Sequence, residues 1–435
     1  MVYTSHASDS STYSSTDSVA DSSTHSSKES SNAPIVAAVS NQTAATAISN
    51  TTDTTNATDT TNATTATTTL VISNSSSSKP PADSLIVAAV TFNLAEQMMQ
   101  PFTILNLLSN TFPQSVNGTE DDEPATMLLD SSILFLTACE TEPLKPRRTE
   151  GSRSRQLRTQ IIEACCPTST RQRPPPSQMY TPLAIHSLGG VQAVLLIKTK
   201  LLTKVEGVHV SDVACGVGNV LHNKGGIGVW LKLEGKSFLF VTSHLAAHED
   251  KVDERNGDYK RIVEELEEDM PGFVKRKRGK SLVDSVDHVV WCGDLNYRLG
   301  IDRATVDDVV KLYLGAGEDG GRRRRRKTGK LKGVDAKEPW PYLLKYDQLR
   351  VNMKRKRAFV GLTEAPITFP PTYKFDKGER GLRYDTSVKR RVPSWTDRVL
   401  YKDGSGVECL KYGADFKHLF SDHRPVFCVL RVNIS

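Results

Sequence analysis

Short apolar runs that end in polar residues recur along the chain from residue 84 onward. SLIVAAVTFN (84–93) ends on an asparagine, SSILFLTACE (131–140) ends on a glutamate, and DHVVWCGDLN (287–296) ends on Asp294 and Asn296. Continuous apolar runs of this length are typical of buried strands. We therefore expect several strands that carry polar side chains to one common site.

Further strands and a few helices are predicted between these runs. The additional strand-like segments are VQAVLLIKTKL (191–201), GGIGVWLKL (225–233), KSFLFVTSHL (236–245) and PVFCVLRV (425–432). Helical spacing appears at about 157–165, at about 250–270 and within 340–353. Strands predominate, and no strand–helix repeat of constant length is present. This pattern favours an α+β sandwich with mixed sheets over a Rossmann fold or a TIM barrel.

The first 81 residues differ from the rest in composition. They are rich in Ser and Thr and have scarcely any large apolar residue. A segment that cannot bury apolar surface cannot offset the entropy lost on ordering, so we expect a disordered tail over 1–81. One folded domain should follow over 82–435. Within it, the Gly- and Arg-rich segment at about 315–334, with its basic run at 322–327, is interpreted as an exposed insertion of unassigned function.

Charge and cysteine usage narrow the class of protein. The net charge of +6 conceals separate basic runs at 275–278, 354–357 and 389–391. Such runs serve phosphate-rich partners, nuclear import or solubility. The chain has no apolar run long enough for a membrane span and no evident secretory signal, and its seven cysteines lie mostly alone in apolar runs. These features predict a cytoplasmic protein with free thiols.

The polar residues at the strand ends suggest a metal-assisted reaction on phosphate. An oxygen-rich set of ligands suits Mg²⁺ better than zinc. Hydrolysis of a phosphate ester needs such an ion, a group that orients water, and donors for the developing charge. The residues in question are Asn93, Glu140, His244, Asp294, Asn296, Asp422 and His423.

Each motif also has a plainer interpretation when it is taken alone. In GDLN (293–296) the carboxylate and the amide are two residues apart and share one face of a strand, but the pair also suits a capped strand-to-turn junction. In SDHRPV (421–426) the aspartate can fix the tautomer of the histidine or keep it protonated, but the segment also suits a turn before Pro425.

Taken together with SHLAAH (243–248), these motifs resemble the endonuclease/exonuclease/phosphatase superfamily of Mg²⁺-dependent phosphoesterases. A narrower resemblance, over roughly residues 84–432, is to the inositol polyphosphate 5-phosphatase family. It rests on SHLAAHEDKVDERNGDY (243–259), GDLNYRL (293–299), LLKYDQL (343–349), FPPTYKFD (369–376) and VPSWTDRVLY (392–401). The resemblance implies a four-layer α/β/β/α sandwich with two mixed β-sheets.

The resemblance also implies roles for the catalytic residues. Asp294 is similar to the group that activates the attacking water, and Asn296 to a phosphoryl ligand. His244 and His423 resemble the phosphate-facing histidines, and Asp422 is expected to orient His423. In a further correspondence, Asp397 resembles the site aspartate of the SWTDR segment, although Thr396 stands where cysteine is common in the family.

Metal and substrate ligands follow from the same resemblance. Glu140 is expected to be the principal Mg²⁺ ligand with Asn93 beside it, although Cys139 precedes Glu140 where the family has glutamine, so Glu142 is the alternative. A Lys/Arg cluster beside a vicinal ring phosphate supplies both affinity and regiochemistry. The candidates for that cluster and its surroundings are Tyr373, Lys374, Lys389, Arg390 and Arg391.

The expected activity is Mg²⁺-dependent removal of the 5-phosphate from phosphoinositides, such as phosphatidylinositol 4,5-bisphosphate, or from soluble inositol polyphosphates. We expect a monomeric catalytic domain that contacts membranes peripherally through basic loops. Nucleic acid is not an expected partner, because Lys374 and residues 389–391 lie within the motif segments rather than along an extended basic track. Two alternatives are a nuclease or abasic-site repair enzyme of the same superfamily, and a lipid-binding protein without catalysis.

Overall fold

The computed structural model describes residues 35–36, 84–98, 130–143, 151–166, 179–216, 222–276, 278–315, 331, 333–404 and 406–435. Within them the strands are β1 (Ile35–Val36), β2 (Ser84–Asn93), β3 (Ile133–Cys139), β4 (Tyr180–Leu188), β5 (Val191–Lys198), β6 (Val205–Ala214), β7 (Gly225–Leu233), β8 (Lys236–His244), β9 (His288–Asp294), β10 (Leu362–Thr363), β11 (Asp397–Lys402), β12 (Val407–Ala414) and β13 (Val426–Asn433). The α-helices are α1 (Ser152–Cys165), α2 (Val252–Glu268), α3 (Leu282–Ser285), α4 (Arg303–Leu314), α5 (Trp340–Leu343) and α6 (Gln348–Lys354), and 3₁₀ turns span Thr199–Lys204 and Leu344–Tyr346.

The strands form two mixed sheets. The seven-stranded sheet has the order β1-β4-β5-β3-β2-β13-β12, and the six-stranded sheet has the order β10-β11-β9-β8-β7-β6. Each sheet contains one parallel pair, β2 with β3 in the first and β8 with β9 in the second, and its other pairs are antiparallel. Each sheet therefore has its parallel pair near the middle of the strand order, and the two strands of that pair end at the same edge of the sheet.

Apolar residues on both faces of the sheets define four layers. The main core lies between the sheets, where for example the rings of Phe135 and Phe240 are 5.4 Å apart. A second cluster, which includes Phe92, joins α1 to the outer face of the seven-stranded sheet, and a third, which includes Trp291, joins α2 to the outer face of the six-stranded sheet. Because both faces are covered, the central strands are continuous apolar runs. The predicted α/β/β/α sandwich is confirmed.

The predicted strands and helices are present in this architecture, whereas β4, β6, β12 and α4 were not predicted. The runs at 84–93, 131–140 and 287–296 form β2, β3 and β9, and the helical spacing at about 250–270 forms α2, whose buried face includes Tyr259, Ile262 and Leu266. No helix in the described part of the chain is long and apolar enough to cross a membrane. The tail over 1–81, apart from the pairing of β1 with β4, and the basic run at 322–327 lie outside the described residues.

Candidate active site

One edge of the sandwich gathers the polar residues that the sequence places at strand ends. The parallel strands β8 and β9 end together, so that His244 lies beside Asp294 in the register, and Asp397 at the start of β11 lies opposite Asp294 on the other side. In the facing sheet, Asn93 ends β2 beside Cys139, and Glu140 follows directly. Polar residues from strands of both sheets therefore meet at one place.

Asp294 lies at the centre of this edge and is almost fully buried. Its Oδ2 accepts hydrogen bonds from Asn93 Nδ2 at 2.8 Å and Asn296 Nδ2 at 3.1 Å, and its Oδ1 accepts one from the Asn296 backbone N–H at 3.1 Å. Burial would raise the pKa of Asp294, but the positive groups around it, His423 foremost, outweigh burial and lower the pKa to about 2. Asp294 is therefore a stable carboxylate at neutral pH.

Gly293 explains how β9 can deliver Asp294 so close to β8. Its φ is +136°, a conformation that favours glycine, and a Cβ at this position would lie 2.0 Å from the Ser243 carbonyl oxygen. Asn296 has a left-handed backbone as well, with φ of +58°. This conformation turns its amide back toward Asp294, so the GDLN motif is a tight turn as well as a pair of site residues.

His423 is held by Asp397 rather than by its sequence neighbour. Its Nδ1 lies 2.6 Å from Asp397 Oδ2, and Thr396 Oγ1 lies 3.3 Å from the same nitrogen. Burial would lower the pKa of His423, but Asp397 outweighs burial, with smaller contributions from Asp294 and Asp422, and raises the pKa to about 9. The expectation that Asp422 orients His423 is wrong in this respect, because Asp397 receives the Nδ1 hydrogen bond.

Asp422 instead contacts Lys374. Its Oδ2 accepts a hydrogen bond from Lys374 Nζ, and it raises the pKa of Lys374 against the opposing effect of burial. Beside them the centre of the Tyr373 ring lies 4.5 Å from the centre of the His423 ring and 4.4 Å from the Arg298 guanidinium carbon. Tyr373 is thus placed to support His423, whereas Lys374 presents a cation at the site.

His244 is in the opposite electrostatic state to His423. Burial, reinforced by the neighbouring Lys224 cation, lowers the pKa of His244 to about 3. Lys224 Nζ contacts His244 Nε2, and Asp294 Oδ2 lies 3.4 Å from the same nitrogen. His244 is therefore neutral at neutral pH, and in this geometry its Nε2 accepts a hydrogen bond from Lys224 rather than facing a phosphate as a charged donor.

Glu140, His244 and Asp294 form a cluster that could hold a metal ion, with one ligand atom from each within 4.8 Å of the others. Glu140 Oε1 lies 3.6 Å from His244 Nε2. Glu142 is engaged elsewhere, since its Oε1 accepts the Ser154 N–H at 2.7 Å in the first turn of α1. The geometry thus favours Glu140 over Glu142 as a candidate ligand.

The donor set of the site fits a divalent cation. The carboxylates of Glu140 and Asp294 converge in the cluster, and Asp397, which forms a second candidate cluster with Asp294 and His423, has a buried Oδ1 without a hydrogen-bond partner among the described contacts. Asn93 borders the cluster, but its Oδ1 accepts the Ala95 N–H at 2.8 Å and its Nδ2 faces Asp294. Asn93 therefore positions Asp294 in this structure.

The basic residues at 389–391 lie on an exposed loop. Arg390 forms a 3.3 Å ion pair with Asp307 on α4, and Arg391 Nη2 lies 3.3 Å from His248 Nδ1. Lys389 is exposed, and its backbone N–H donates to Ser387 Oγ. His248 belongs to the SHLAAH segment that begins at the site, so Arg391 is connected to the site through this contact.

Lys224 and Arg298 are site residues that the sequence reasoning missed. Arg298 is almost fully buried, and its guanidinium donates to Asn296 Oδ1 at 2.7 Å and to the Asn296 carbonyl at 3.0 Å. The available signal for Lys224 was its position in HNKGG, where a lysine precedes two glycines at the start of β7. Arg298 stands within GDLNYRL but was assigned no role.

The arrangement combines one stable carboxylate with several hydrogen-bond donors. Asp294 can accept a hydrogen bond from water, while His423 and Lys374, whose pKa values are raised, carry protons that can be donated to an anion. Burial lowers the pKa of Lys224, whose amine still has N–H groups to donate. Charged donors aimed at one buried place stabilise a negative charge that develops there. An acceptor for water and donors for a developing negative charge are the groups that hydrolysis of a phosphate ester requires.

Comparison with known proteins gives consistent matches. The family model described as Endonuclease/Exonuclease/phosphatase family 2 matches residues 90–429. The chain is 35% identical over 256 residues to Inositol-1,4,5-trisphosphate 5-phosphatase 1 of Schizosaccharomyces pombe, with 59% of this chain and 20% of that protein covered. It is 30% identical over 269 residues to Phosphatidylinositol 3,4,5-trisphosphate 5-phosphatase 2A of Danio rerio, with 59% and 18% covered. The chain thus spans about a fifth of the length of these relatives.

One solved structure is similar over most of the chain. It is the inositol polyphosphate 5-phosphatase domain of spsynaptojanin in complex with inositol (1,4)-bisphosphate and calcium ion. The TM-score is 0.59 at 27% sequence identity, and the match covers 81% of this chain and 85% of that one.

Proposed function

The chain belongs to Endonuclease/Exonuclease/phosphatase family 2, and from that premise we propose that it is a Mg²⁺-dependent phosphatase acting on inositol phosphates. It removes the 5-phosphate from phosphoinositides, such as phosphatidylinositol 4,5-bisphosphate, or from soluble inositol polyphosphates. The observation that carries this proposal is the meeting of the Asp294 carboxylate with a protonated His423 and with Lys224 in one buried place. The names of the relatives support the substrate class.

Asp294 orients the attacking water. In hydrolysis of a phosphate monoester, the water oxygen bonds to phosphorus and the bond from phosphorus to the ring oxygen breaks. A carboxylate with a pKa of about 2 is a weak base, so Asp294 serves mainly as a hydrogen-bond acceptor that aims the water. Among the described contacts its Oδ1 accepts only the Asn296 N–H, which leaves an acceptor position for that water.

His423 and Lys224 hold the phosphoryl group. Asp397 keeps the imidazole of His423 charged, so that Nε2 carries a proton for a phosphoryl or leaving oxygen. Such donors are worth most when they are fixed before the reaction and shielded from water. A divalent cation bound by Glu140 and Asp294, with His244 beside them, would supply further electrophilic stabilisation of the phosphoryl oxygens. The oxygen-rich donor set supports Mg²⁺ as that cation.

The neighbouring ring phosphate is held by the basic residues around Tyr373. Lys374 contacts Asp422 of the SDHRPV segment, and Arg391 contacts His248 of the SHLAAH segment. Lys389 and Arg390 extend the same positive surface outward along the loop. A dianionic phosphate beside this group gains charge-assisted hydrogen bonds that a substrate without it lacks.

The same loop provides contact with a membrane. Val388 is fully exposed, at 103%, between Ser387 and Lys389. An apolar tip flanked by cations suits an anionic lipid surface, to which each Lys or Arg near the surface contributes about 1 kcal/mol. We place the protein in the cytoplasm as a monomeric, peripheral membrane enzyme. Sedimentation with vesicles that contain anionic lipid tests the membrane contact, and Val388→Ser should sediment less than the wild type.

Phosphate release tests the activity. Purified protein with Mg²⁺ should release phosphate from a water-soluble phosphatidylinositol 4,5-bisphosphate and from inositol 1,4,5-trisphosphate, and it should leave supercoiled plasmid DNA intact. His423→Gln should lose this release while keeping its fold. Plasmid nicking without phosphate release would indicate a nuclease instead, and binding of the lipid without either activity would indicate a lipid-binding protein.

A further inference from the structure

Two cysteines on neighbouring strands lie with their sulfur atoms in contact. Cys409 is on β12 and Cys428 is on β13, and their Sγ atoms are 3.7 Å apart. Neither residue takes part in the site described above. Both are free thiols in this structure.

The register of the two strands explains this contact. Cys409 faces Leu430, which is two positions from Cys428 on β13, so Cys428 is the diagonal neighbour of Cys409 on the same face of the sheet. A bulge follows Cys409, since the register with β13 shifts between Cys409 and Lys411. Bulges increase the local twist of a strand pair. Cys428 lies in the main core between the sheets, and the half-buried Cys409 packs against that core.

The other cysteines lack such a partner in the part of the chain that the structure describes. Cys139 Sγ lies near the Ser243 carbonyl, Cys215 Sγ lies near the Asp258 carbonyl, and Cys292 Sγ lies near the Thr137 hydroxyl. Cys165 and Cys166 are adjacent in the sequence. Cys409 and Cys428 are therefore the two described thiols that are distant in sequence and meet through their sulfurs.

We propose that Cys409 and Cys428 form an oxidisable dithiol that hydrogen peroxide converts into a disulfide between β12 and β13. The Cys409 thiolate attacks a peroxide oxygen, the O–O bond breaks, and the departing hydroxide takes up a proton to leave as water. The sulfur is thereby oxidised by two electrons to a sulfenic acid. The Cys428 sulfur then attacks the Cys409 sulfur, the S–O bond breaks, and a second water leaves with the thiol proton.

The order of these steps follows from the surroundings of the two thiols. Cys409 is half-buried, whereas Cys428 is fully buried, so peroxide reaches Cys409 first. The hydrogen bond with Cys428 lowers the pKa of Cys409. A thiolate that is partly accessible is the form that peroxide oxidises. Closing the bond requires the sulfurs to approach by about 1.7 Å, from 3.7 Å to the length of a disulfide.

The test is a map of disulfides in the native, full-length protein. Reduced protein, freed of reductant, is treated with hydrogen peroxide, its remaining thiols are alkylated, and it is digested without reduction for mass spectrometry. Trypsin can cut at Lys411 and Lys417, so the two cysteines fall in separate peptides. We expect a peptide pair linked through Cys409 and Cys428 that forms before other cysteines are modified and that dithiothreitol separates.

Two variants separate the roles of the thiols. In Cys428→Ser, oxidation of Cys409 should stop at a sulfenic acid that dimedone traps. In Cys409→Ser, Cys428 should stay reduced until the protein is denatured, and Cys165→Ser is the matched control that should leave the linked peptide unchanged. The proposal is overturned if native protein yields both cysteines as free thiols at peroxide doses that oxidise other cysteines, or if the link forms only after denaturation. The wild-type map decides the question even where a variant fails to fold.

Discussion

Replacing Asp397 by asparagine removes the charge that keeps His423 protonated. The carboxylate of Asp397 lies 2.6 Å from His423 Nδ1, and both groups are buried. Asparagine has nearly the same shape, so its oxygen can still accept the Nδ1 hydrogen bond. The substitution therefore changes the charge next to the imidazole more than its position.

The size of the effect follows from the pKa of His423. The difference between the ordinary value of 6.5 and the value of about 9 favours the charged imidazole by about 3 kcal/mol. Asp397 is the largest contributor to this rise, and burial opposes it. Without Asp397, the pKa should fall by roughly two units, toward the ordinary value. Asp294 and Asp422 remain and limit the fall.

The assay is the dependence of kcat/KM on pH for a soluble inositol phosphate. This ratio reports the protonation state of the free enzyme. Since His423 has to be protonated, wild-type kcat/KM should be constant at neutral pH and fall as the pH rises through about 9. In Asp397→Asn this decline should begin at roughly two pH units lower. An NMR titration of the His423 imidazole should report the same difference without substrate.

A neutral change at the same place provides the control. Thr396→Val removes a hydroxyl that donates to Asp397 Oδ2 at 3.0 Å and lies 3.3 Å from His423 Nδ1, but it removes no charge, so the alkaline decline should move far less than in Asp397→Asn. If the decline and the NMR titration are the same in Asp397→Asn as in the wild type, His423 does not owe its proton to Asp397. The assignment of His423 as a charged donor would then be wrong.

Three further predictions concern the metal, the vicinal phosphate and the tail. EDTA should abolish activity, and Mg²⁺ rather than Zn²⁺ should restore it. Glu140→Gln should raise the Mg²⁺ concentration needed for half-maximal activity, whereas Glu142→Gln, which changes a contact with α1, should not. Lys374→Ala should raise KM about ten- to a hundredfold on substrates with a 4-phosphate, because a charge-assisted contact is worth roughly 1.5–3 kcal/mol, and an equal loss on substrates without it would contradict this role. A chain that starts near Pro80 should keep its kcat on a soluble substrate, since the composition of the tail cannot build a core; loss of most kcat would contradict this.

The layers of the fold could be predicted from the sequence because burial on both faces leaves a local signal. SLIVAAVTFN is apolar at nearly every position, and β2 is covered by the other sheet on one face and by α1 on the other. The order of the strands leaves no such signal. Nothing in the apolar runs themselves indicates that β13 inserts between β2 and β12, since pairing depends on residues far apart in the chain.

The same distinction applies to the site. Residues at strand ends were found because a polar residue after an apolar run is visible locally, as at His244 and Asp294. Arg298 donates locally to Asn296, but its place beside Tyr373 was missed because Tyr373 is 75 positions further along the chain. Lys224 was missed because its contact with His244 depends on the pairing of β7 with β8.

Adjacency in the sequence was misleading for one aspartate. Asp422 and His423 are neighbours in the chain, which suggested that the first orients the second. In the structure, however, Asp422 lies in a bend before His423, and the two side chains have different partners. Asp422 accordingly contacts Lys374, and the carboxylate that reaches His423 comes from the start of β11, which pairs with β9. The partner of a site histidine is therefore better sought among the strands that end or begin at the same edge than among its neighbours in the motif.

The two histidines of the site extend this argument from geometry to charge. His244 and His423 are both buried beside Asp294, yet the pKa of His244 is lowered to about 3 and that of His423 is raised to about 9. The difference lies in the partner, since a lysine contacts His244 and a carboxylate contacts His423. Groups whose surroundings move their pKa values apart can perform opposite tasks at one pH. We therefore infer that the neutral imidazole of His244 accepts a hydrogen bond and the charged imidazole of His423 donates one. The sequence alone does not show this difference, because the two side chains are identical.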